Sequence, residues 1–199
     1  MTNPQAGPPI WDVLSEEIEF ETPFIRARRQ VCRTARGAIL DPYHVFDLPN
    51  WAATLAVTPD GDAVLVRNYR HGAQRMMTEL PGGIIDAADA DPAAAARREL
   101  LEETGFSTGP LTALPPIHPY PGRFRQRAFP FIGMGAQLIQ AQALEDDEDL
   151  EVILVPLAEA MRCFADGSQD VAAAHAGIMH TARYRIETDP GFAALRAFL

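Results

Sequence analysis

The chain has 199 residues, 47% of them hydrophobic, which suits one domain with a real core or one domain with a small appendage. A formal charge of −10 argues against nucleic acid or an anionic membrane as partner, and means that a phosphate-bearing ligand would need a mediating cation. No apolar run reaches the roughly 18 residues that span a bilayer, and MTNPQAGPPIW has neither a basic start nor an apolar stretch, so a cytoplasmic protein without a signal peptide is expected.

Residues 1–10, with their Pro and Gly, read as loose. From Glu16 to about Thr34, Ile18, Phe20, Phe24, Ile25 and Val31 fall at mostly strand-like spacing, so short antiparallel strands are expected. Cys32 and Cys163 lack any CxxC spacing; reduced core thiols are the expectation and a disulfide between them the alternative. WAATLAV and AVLVRNY flank Pro59-Asp60-Gly61, a turn that closes a hairpin. MTELPGGIIDAADADP reads as a loop. Asp91 then offers an N-cap, Pro92 a first helical residue and Gly105 a left-handed terminator, with Ala93, Ala96, Leu100 and Thr104 as the packing stripe. RAFPFIGM and LEVILVPL read as strands, with the acidic loop LEDDED between them. LAEAMRCFADG and DVAAAHAGIMHTARY read as helices interrupted at Gly167-Ser168. Strands followed by helices packed on them give an α+β or α/β/α sandwich, with an amino-terminal strand region over 1–50 and the main domain over 51–199.

The stretch RRELLEETGF carries a particular chemistry. Glu99, Glu102 and Glu103 stand at i, i+3 and i+4, which stacks three carboxylates on one side of a helix at a cost of about 0.2–0.5 kcal/mol per like-charged pair. A solvated face is the plain alternative. Against it, no lysine stands at i+4, a glycine-rich loop feeds the helix, and the neighbouring cations, Arg97 and Arg98, precede the row. A hard divalent cation would relieve the repulsion: Mg²⁺ takes oxygen ligands at about 2.0–2.1 Å and joins carboxylates to substrate phosphates. A backbone carbonyl of Gly82-Gly83 could add one more oxygen.

GGIIDAADADPAAAARRELLEETGF resembles the Nudix box, G-x5-E-x7-R-E-U-x-E-E-x-G-U, where U is a bulky aliphatic or aromatic residue. Arg98 to Phe106 matches the second half at every specified position. The first half departs. Six residues on from Gly83 stands Asp89 rather than Glu, with eight residues instead of seven before Arg98, which alters the loop geometry by one extra residue and leaves Asp89 without an assigned role. The likeness continues into the ADP-ribose pyrophosphatase branch of the family over roughly residues 11–165. It is carried by WDVLSEEIEFETPFIRARR, by LVRNYRHGAQRMMTELPGG, by a proline, Pro121, sixteen residues after Gly105, and by LEDDEDLEVILVPLAEA. Where that branch often has Ser-x-Glu after the proline, this chain has GRFRQR. Arg123, Arg125 and Arg127 there would favour phosphate groups, or form an exposed basic strand.

The resemblance implies a Nudix fold, with a mixed sheet between helices, over 51–199. It also implies a homodimer built through the amino-terminal strands, and no nucleic-acid or membrane partner. The implied activity is Mg²⁺-dependent hydrolysis of a nucleoside diphosphate sugar with two or three ions per site, Mn²⁺ being a possible substitute. ADP-ribose would give AMP and ribose 5-phosphate. Glu99 and Glu103 would be the principal metal ligands, Glu102 and the Gly82 carbonyl further ones, and Arg98 would orient Glu99. Glu148 would be a metal-linked carboxylate or the base, with Asp146 the runner-up for base. Arg70, Pro121 and Arg123 would contact substrate; the alternative for Arg70 is a surface ion pair. Trp51 could stack on a base or belong to the core, and His71, His118, His175 and His180 read as structural. GDP-mannose or another nucleotide sugar, and a non-catalytic nucleotide-sensing module, are the alternatives. Hydrolysis of oxidised nucleoside triphosphates shares the box but fits the long amino-terminal region and Pro121 poorly.

Overall fold

A computed structural model of the chain describes residues 10–144 and 149–199. Contacts divide these into two units, one of residues up to 49 together with Tyr120–Gln126, the other of Asn50–Pro119 and Arg127–Leu199. The short stretch containing Pro121 and Arg123 thus leaves the main unit and joins the amino-terminal one.

The first unit is a four-stranded sheet. β1 (Asp12–Glu21), β2 (Arg26–Arg33) and β3 (Ile39–Asp47) run antiparallel, and the two-residue β10 (Phe124–Arg125) lies parallel to β3. The strand spacing over Glu16–Thr34 produces β1 and β2, and both are longer than short strands. β3, with Pro42 inside it, was not expected as a strand. Ala27, Gln30 and Cys32 of β2 are buried, and both Cys32 and Cys163 are free thiols. Every residue of β1 is exposed, Val13, Leu14, Ile18 and Phe20 among them.

The second unit is built on the hairpin of β4 (Trp51–Val57) and β5 (Asp62–Arg70), in register Val57 opposite Ala63. Gly61 closes its turn at φ 89°, a left-handed conformation that residues with a Cβ adopt reluctantly. MTELPGG is not all loop: β6 (Arg75–Glu79) pairs with β5, and β7 (Gly82–Ile84) pairs with β4. Neither segment alternates by itself; both become strands because the hairpin offers unpaired edges to hydrogen-bond. The mixed sheet is completed by β9 (Leu111–Ala113), β11 (Ala128–Met134) and β13 (Leu150–Pro156), in the order β13-β5-β4-β11-β9, with β11 parallel to β4. β8 (Phe106–Ser107) and β12 (Gln137–Leu138) form a separate pair.

Alternation along β4 sends its side chains to two cores. Ala53, Leu55 and Val57 join Leu157, Met161 and Phe164 of α2 (Leu157–Asp166) and Ile178, Met179, Ala182 and Ile186 of α3 (Ala173–Thr188). Ala52 packs with Ala95 and Ala96 of α1 (Pro92–Thr104), while Ala56 packs with its Leu100. The expected three-layer arrangement is present: α1 on one face, α2 and α3 on the other. Apolar residues at i, i+3, i+4 and i+7 account for the buried side of α2, with Leu157, Met161 and Phe164 each worth about 1.5–3 kcal/mol when fully buried. Gly167 ends α2 at φ 72°. A 3₁₀ segment, Pro190–Phe198, was not anticipated; it buries Phe192 and Leu195 in the α2/α3 core. Among the described residues no helix is long and apolar enough to cross a membrane.

Candidate functional site

Helix α1 starts and stops where its termini dictate. The Asp91 side chain accepts the Ala94 N–H at 2.8 Å, Pro92 follows, and Gly105, at φ 74°, returns its N–H to the Leu101 carbonyl at 2.8 Å. Its buried face is Ala95, Ala96, Glu99, Leu100, Glu103 and Thr104. Ala96, Leu100 and Thr104 of the expected stripe are buried and Ala93 is half-buried; Ala95 and two of the three glutamates widen the face on one side.

Those two carboxylates are buried against the strand that the glycines form. Glu103 Oε2 accepts the Gly82 N–H at 2.7 Å. A Cβ on Gly83 would sit 2.5–2.7 Å from the carboxylate atoms of Glu99, and one on Gly82 would collide with the Ala52 carbonyl and, at 2.6 Å, the Ala53 Cα. At Gly82 only a side chain of one hydrogen clears the β4 backbone, whereas at Gly83 the obstacle is the end of the Glu99 side chain.

Arg98 answers the repulsion in the row directly. Its Nη1 donates to Glu99 Oε1 at 2.9 Å and to Glu102 Oε2 at 3.0 Å. Its other edge donates to both Asp89 oxygens, from Nε at 3.2 Å and Nη2 at 2.9 Å, and Nη2 also donates to the Ile84 carbonyl at 3.1 Å. The guanidinium therefore fixes Glu99, Glu102 and the loop before the helix at once. Hydrogen bonds from Arg98 hold the Asp89 carboxyl below its ordinary range, against the opposing effect of burial. Bonds to Asp89, then to Glu102 and Glu99, hold the guanidinium protonated. Asp89, given no role by the sequence, is thus the main anchor of the box arginine. The position was readable, six residues on from Gly83, but the extra loop residue obscured it.

Arg70, at the end of β5, grips Glu79 with its Nε/Nη2 edge: Nε lies 3.0 Å from each carboxylate oxygen and Nη2 2.6 Å from Oε2. Glu79 is buried whereas Arg70 remains half-exposed. Trp51 stacks on His175 with centroids 5.1 Å apart and packs on the core, which favours its core reading. Arg127 lies over the Phe129 ring. In the first unit, Arg123 lies 3.8 Å over the Tyr43 ring and donates to the His44 carbonyl, while Arg125 pairs with Glu16 and Asp47. The three arginines of GRFRQR are therefore not one cluster in a single unit.

The end of α1 is tied to the start of the acidic loop. Ile139 and Gln140 donate their N–H groups to the Gly105 carbonyl, and Ala143 donates to Glu102 O at 2.8 Å. Gln142 Nε2 reaches the Glu103 carbonyl at 2.6 Å. These donors satisfy carbonyls that every helix end leaves unpaired. Glu148 and Asp146 lie outside the described residues.

Among the described residues no group of three or more His, Cys, Asp or Glu side chains stands assembled to hold a metal ion. Glu103 is turned to Gly82 and Glu102 to Arg98. The donors on hand nevertheless fit a hard divalent cation. They are all oxygens, two of the carboxylates are buried side by side on one helix face, and the adjoining backbone carries no side chain at Gly82 or Gly83.

Residues 49–176 match the NUDIX domain family model, a span that holds β4, β7, α1 and the Arg98–Phe106 half-box. The chain belongs to the NUDIX family. Similar family members include the ADP-ribose pyrophosphatase of Bacillus subtilis (strain 168), 30% identical over 115 residues, covering 57% of this chain and 62% of that protein. This chain thus spans less than two thirds of that relative's length. The ADP-ribose pyrophosphatase of Mycobacterium tuberculosis is 26% identical over 170 residues, 85% of this chain and 82% of that one. The GDP-mannose pyrophosphatase of Klebsiella pneumoniae is 27% identical over 166 residues, 78% and 83% of the two chains. A crystal structure of an ADP compounds hydrolase superposes with a TM-score of 0.74 at 21% identity, over 90% of this chain and 96% of that one, and so shares the NUDIX fold.

Proposed function

We propose that this NUDIX protein is a divalent-cation-dependent hydrolase that cleaves the pyrophosphate bond of nucleoside diphosphate sugars, ADP-ribose giving AMP and ribose 5-phosphate. One observation carries the reading: Glu99 and Glu103 are buried together on a capped helix against Gly82-Gly83, and Arg98 fixes Glu99. Glu99 and Glu103, with Glu102 and the Gly82 carbonyl, would hold two or three Mg²⁺ ions, or Mn²⁺ in their place. When bound, such ions withdraw charge from the pyrophosphate oxygens and lower the pKa of a water.

The remaining work belongs to the chain. Arg98 keeps the Glu99 carboxylate in one orientation. Arg70, held by Glu79, contacts the pyrophosphate. A carboxylate of the acidic loop, Glu148 before Asp146, accepts a proton from the attacking water. That water bonds to phosphorus, the P–O bond of the anhydride breaks, and the second phosphate leaves. Gln142 and Ala143 hold the base of that loop to the helix. Replacing Glu148 and Asp146 separately tells which handles the water; equal, mild losses would mean that neither does.

The test is phosphate release by a coupled phosphatase from a panel of nucleotide sugars with Mg²⁺ or Mn²⁺. ADP-ribose is expected to give the highest kcat/KM. GDP-mannose is the second reading, favoured by a similar relative of that activity matching over a comparable length. No release from any member of the panel with either ion would leave a nucleotide-sensing module instead. A homodimer through the amino-terminal sheet is also proposed. The support is β1, an edge strand exposed along its whole length and carrying Val13, Leu14, Ile18 and Phe20. A strict monomer on gel filtration at micromolar concentration would remove it.

A further inference from the structure

Between β6 and β7 the chain crosses from one strand of the hairpin to the other through Leu80 and Pro81. Proline has no N–H, so the crossing offers two backbone donors, those of Leu80 and Gly82. Gly82 donates to Glu103 Oε2 at 2.7 Å. Leu80 donates to His175 Nδ1 at 3.1 Å, and the Pro81 carbonyl accepts from Thr54 N at 3.0 Å. His175 comes from α3, 95 residues along the chain and on the opposite side of the sheet from the box helix.

We propose that His175 is a positioning residue for the box: by accepting the Leu80 N–H it fixes the backbone entering Gly82, and so the register in which Gly82 meets Glu103. The inference rests on the metal-site reading above. Three observations support an imidazole at this place. An acceptor is required, because Leu80 is 1% exposed and an unmet buried N–H costs about 1–3 kcal/mol. The ring is itself held, stacked on Trp51 at an interplanar angle of 29°. A carboxylate there would face the buried charge of Glu79, whereas a neutral imidazole accepts without repelling it. The bond also sets the tautomer: Nδ1 is bare and the proton sits on Nε2. Burial keeps the ring neutral, its pKa pushed down to about 4.

Two substitutions separate positioning from packing. H175N puts Oδ1 where Nδ1 stands and keeps the acceptor while losing the ring. H175F keeps the ring and its stack on Trp51 while losing the acceptor. In the metal-free proteins, the Leu80 and Gly82 amides of H175F should exchange at least about tenfold faster with solvent than in wild type, while β4 and β11 amides keep their protection. H175N should restore both. Mn²⁺ affinity should fall about 10-fold in H175F and kcat by about 10–100-fold, with KM little changed, as expected when an outer support of a ligand is removed. An H175F protein whose Gly82 amide exchanges at the wild-type rate would overturn the inference, as would an H175N protein no better than H175F. Should H175F fail to fold, H175L, which fills the place with an apolar side chain and carries no acceptor, replaces it under the same two criteria. If wild type neither binds Mn²⁺ nor hydrolyses any nucleotide sugar, the functional reading fails, and the exchange comparison still decides the positioning role.

Discussion

Gly83 is the position where one added methyl should press directly on a box carboxylate and on nothing else nearer. A Cβ there falls 2.5–2.7 Å from Oε1, Cδ and Oε2 of Glu99, well inside any tolerable contact, and the obstacle is the end of a side chain rather than backbone. In Gly83→Ala the chain should therefore fold and Glu99 should move. Moving it breaks the 2.9 Å bond from Arg98, a charge-assisted hydrogen bond of the kind worth about 1.5–3 kcal/mol. Carried into the rate, that is about 10–100-fold at roughly 1.4 kcal/mol per decade. Stability should fall less, by about 1 kcal/mol, because the loss of unfolded-chain entropy on Gly→Ala offsets part of the overpacking. The assay is kcat on a nucleotide sugar over a Mg²⁺ titration, with thermal unfolding of the metal-free protein alongside. A Gly83→Ala protein with wild-type kcat and wild-type half-saturation by Mg²⁺ would show that Glu99 is not required where it stands.

Other outcomes follow from the same geometry. Glu103→Gln should fold normally and lose orders of magnitude in turnover; near-wild-type rate with Mg²⁺ would refute its assignment as a ligand. Arg98→Lys keeps the charge but cannot serve Glu99, Glu102, Asp89 and the Ile84 carbonyl from one planar fork, so kcat should drop about 10-fold or more with little change in KM; an equal rate would mean that charge alone suffices. The buried His175 ring, facing Glu79, Arg70 and Trp51, titrates near pH 4 in the fold against 6.5 when exposed. Between those values the unfolded chain binds the extra proton. Unfolding free energy should thus decline as pH falls from about 6.5 to 4, by up to about 3 kcal/mol, and His175→Asn should flatten that part of the curve. An unchanged slope in urea unfolding across that window would contradict the burial argument.

The amino-acid sequence by itself determined the local features. Asp91, Pro92 and Gly105 set both ends of α1 because capping needs only neighbours within a turn. Pro59-Asp60-Gly61 closed the β4–β5 hairpin for the same reason, and the Arg98–Phe106 spacing named the family. What only the tertiary structure decided was every contact between distant segments. MTELPGG became strands because the hairpin left edges to fill. Two box glutamates turned inward because glycine backbone lies across from them. Asp89 became the anchor of Arg98 through a loop one residue longer than the motif allows. His175 became the partner of Leu80 across 95 residues of chain. Hydrogen bonds within a turn are written into adjacent residues, whereas those that join a loop to another layer depend on a sheet that must form first.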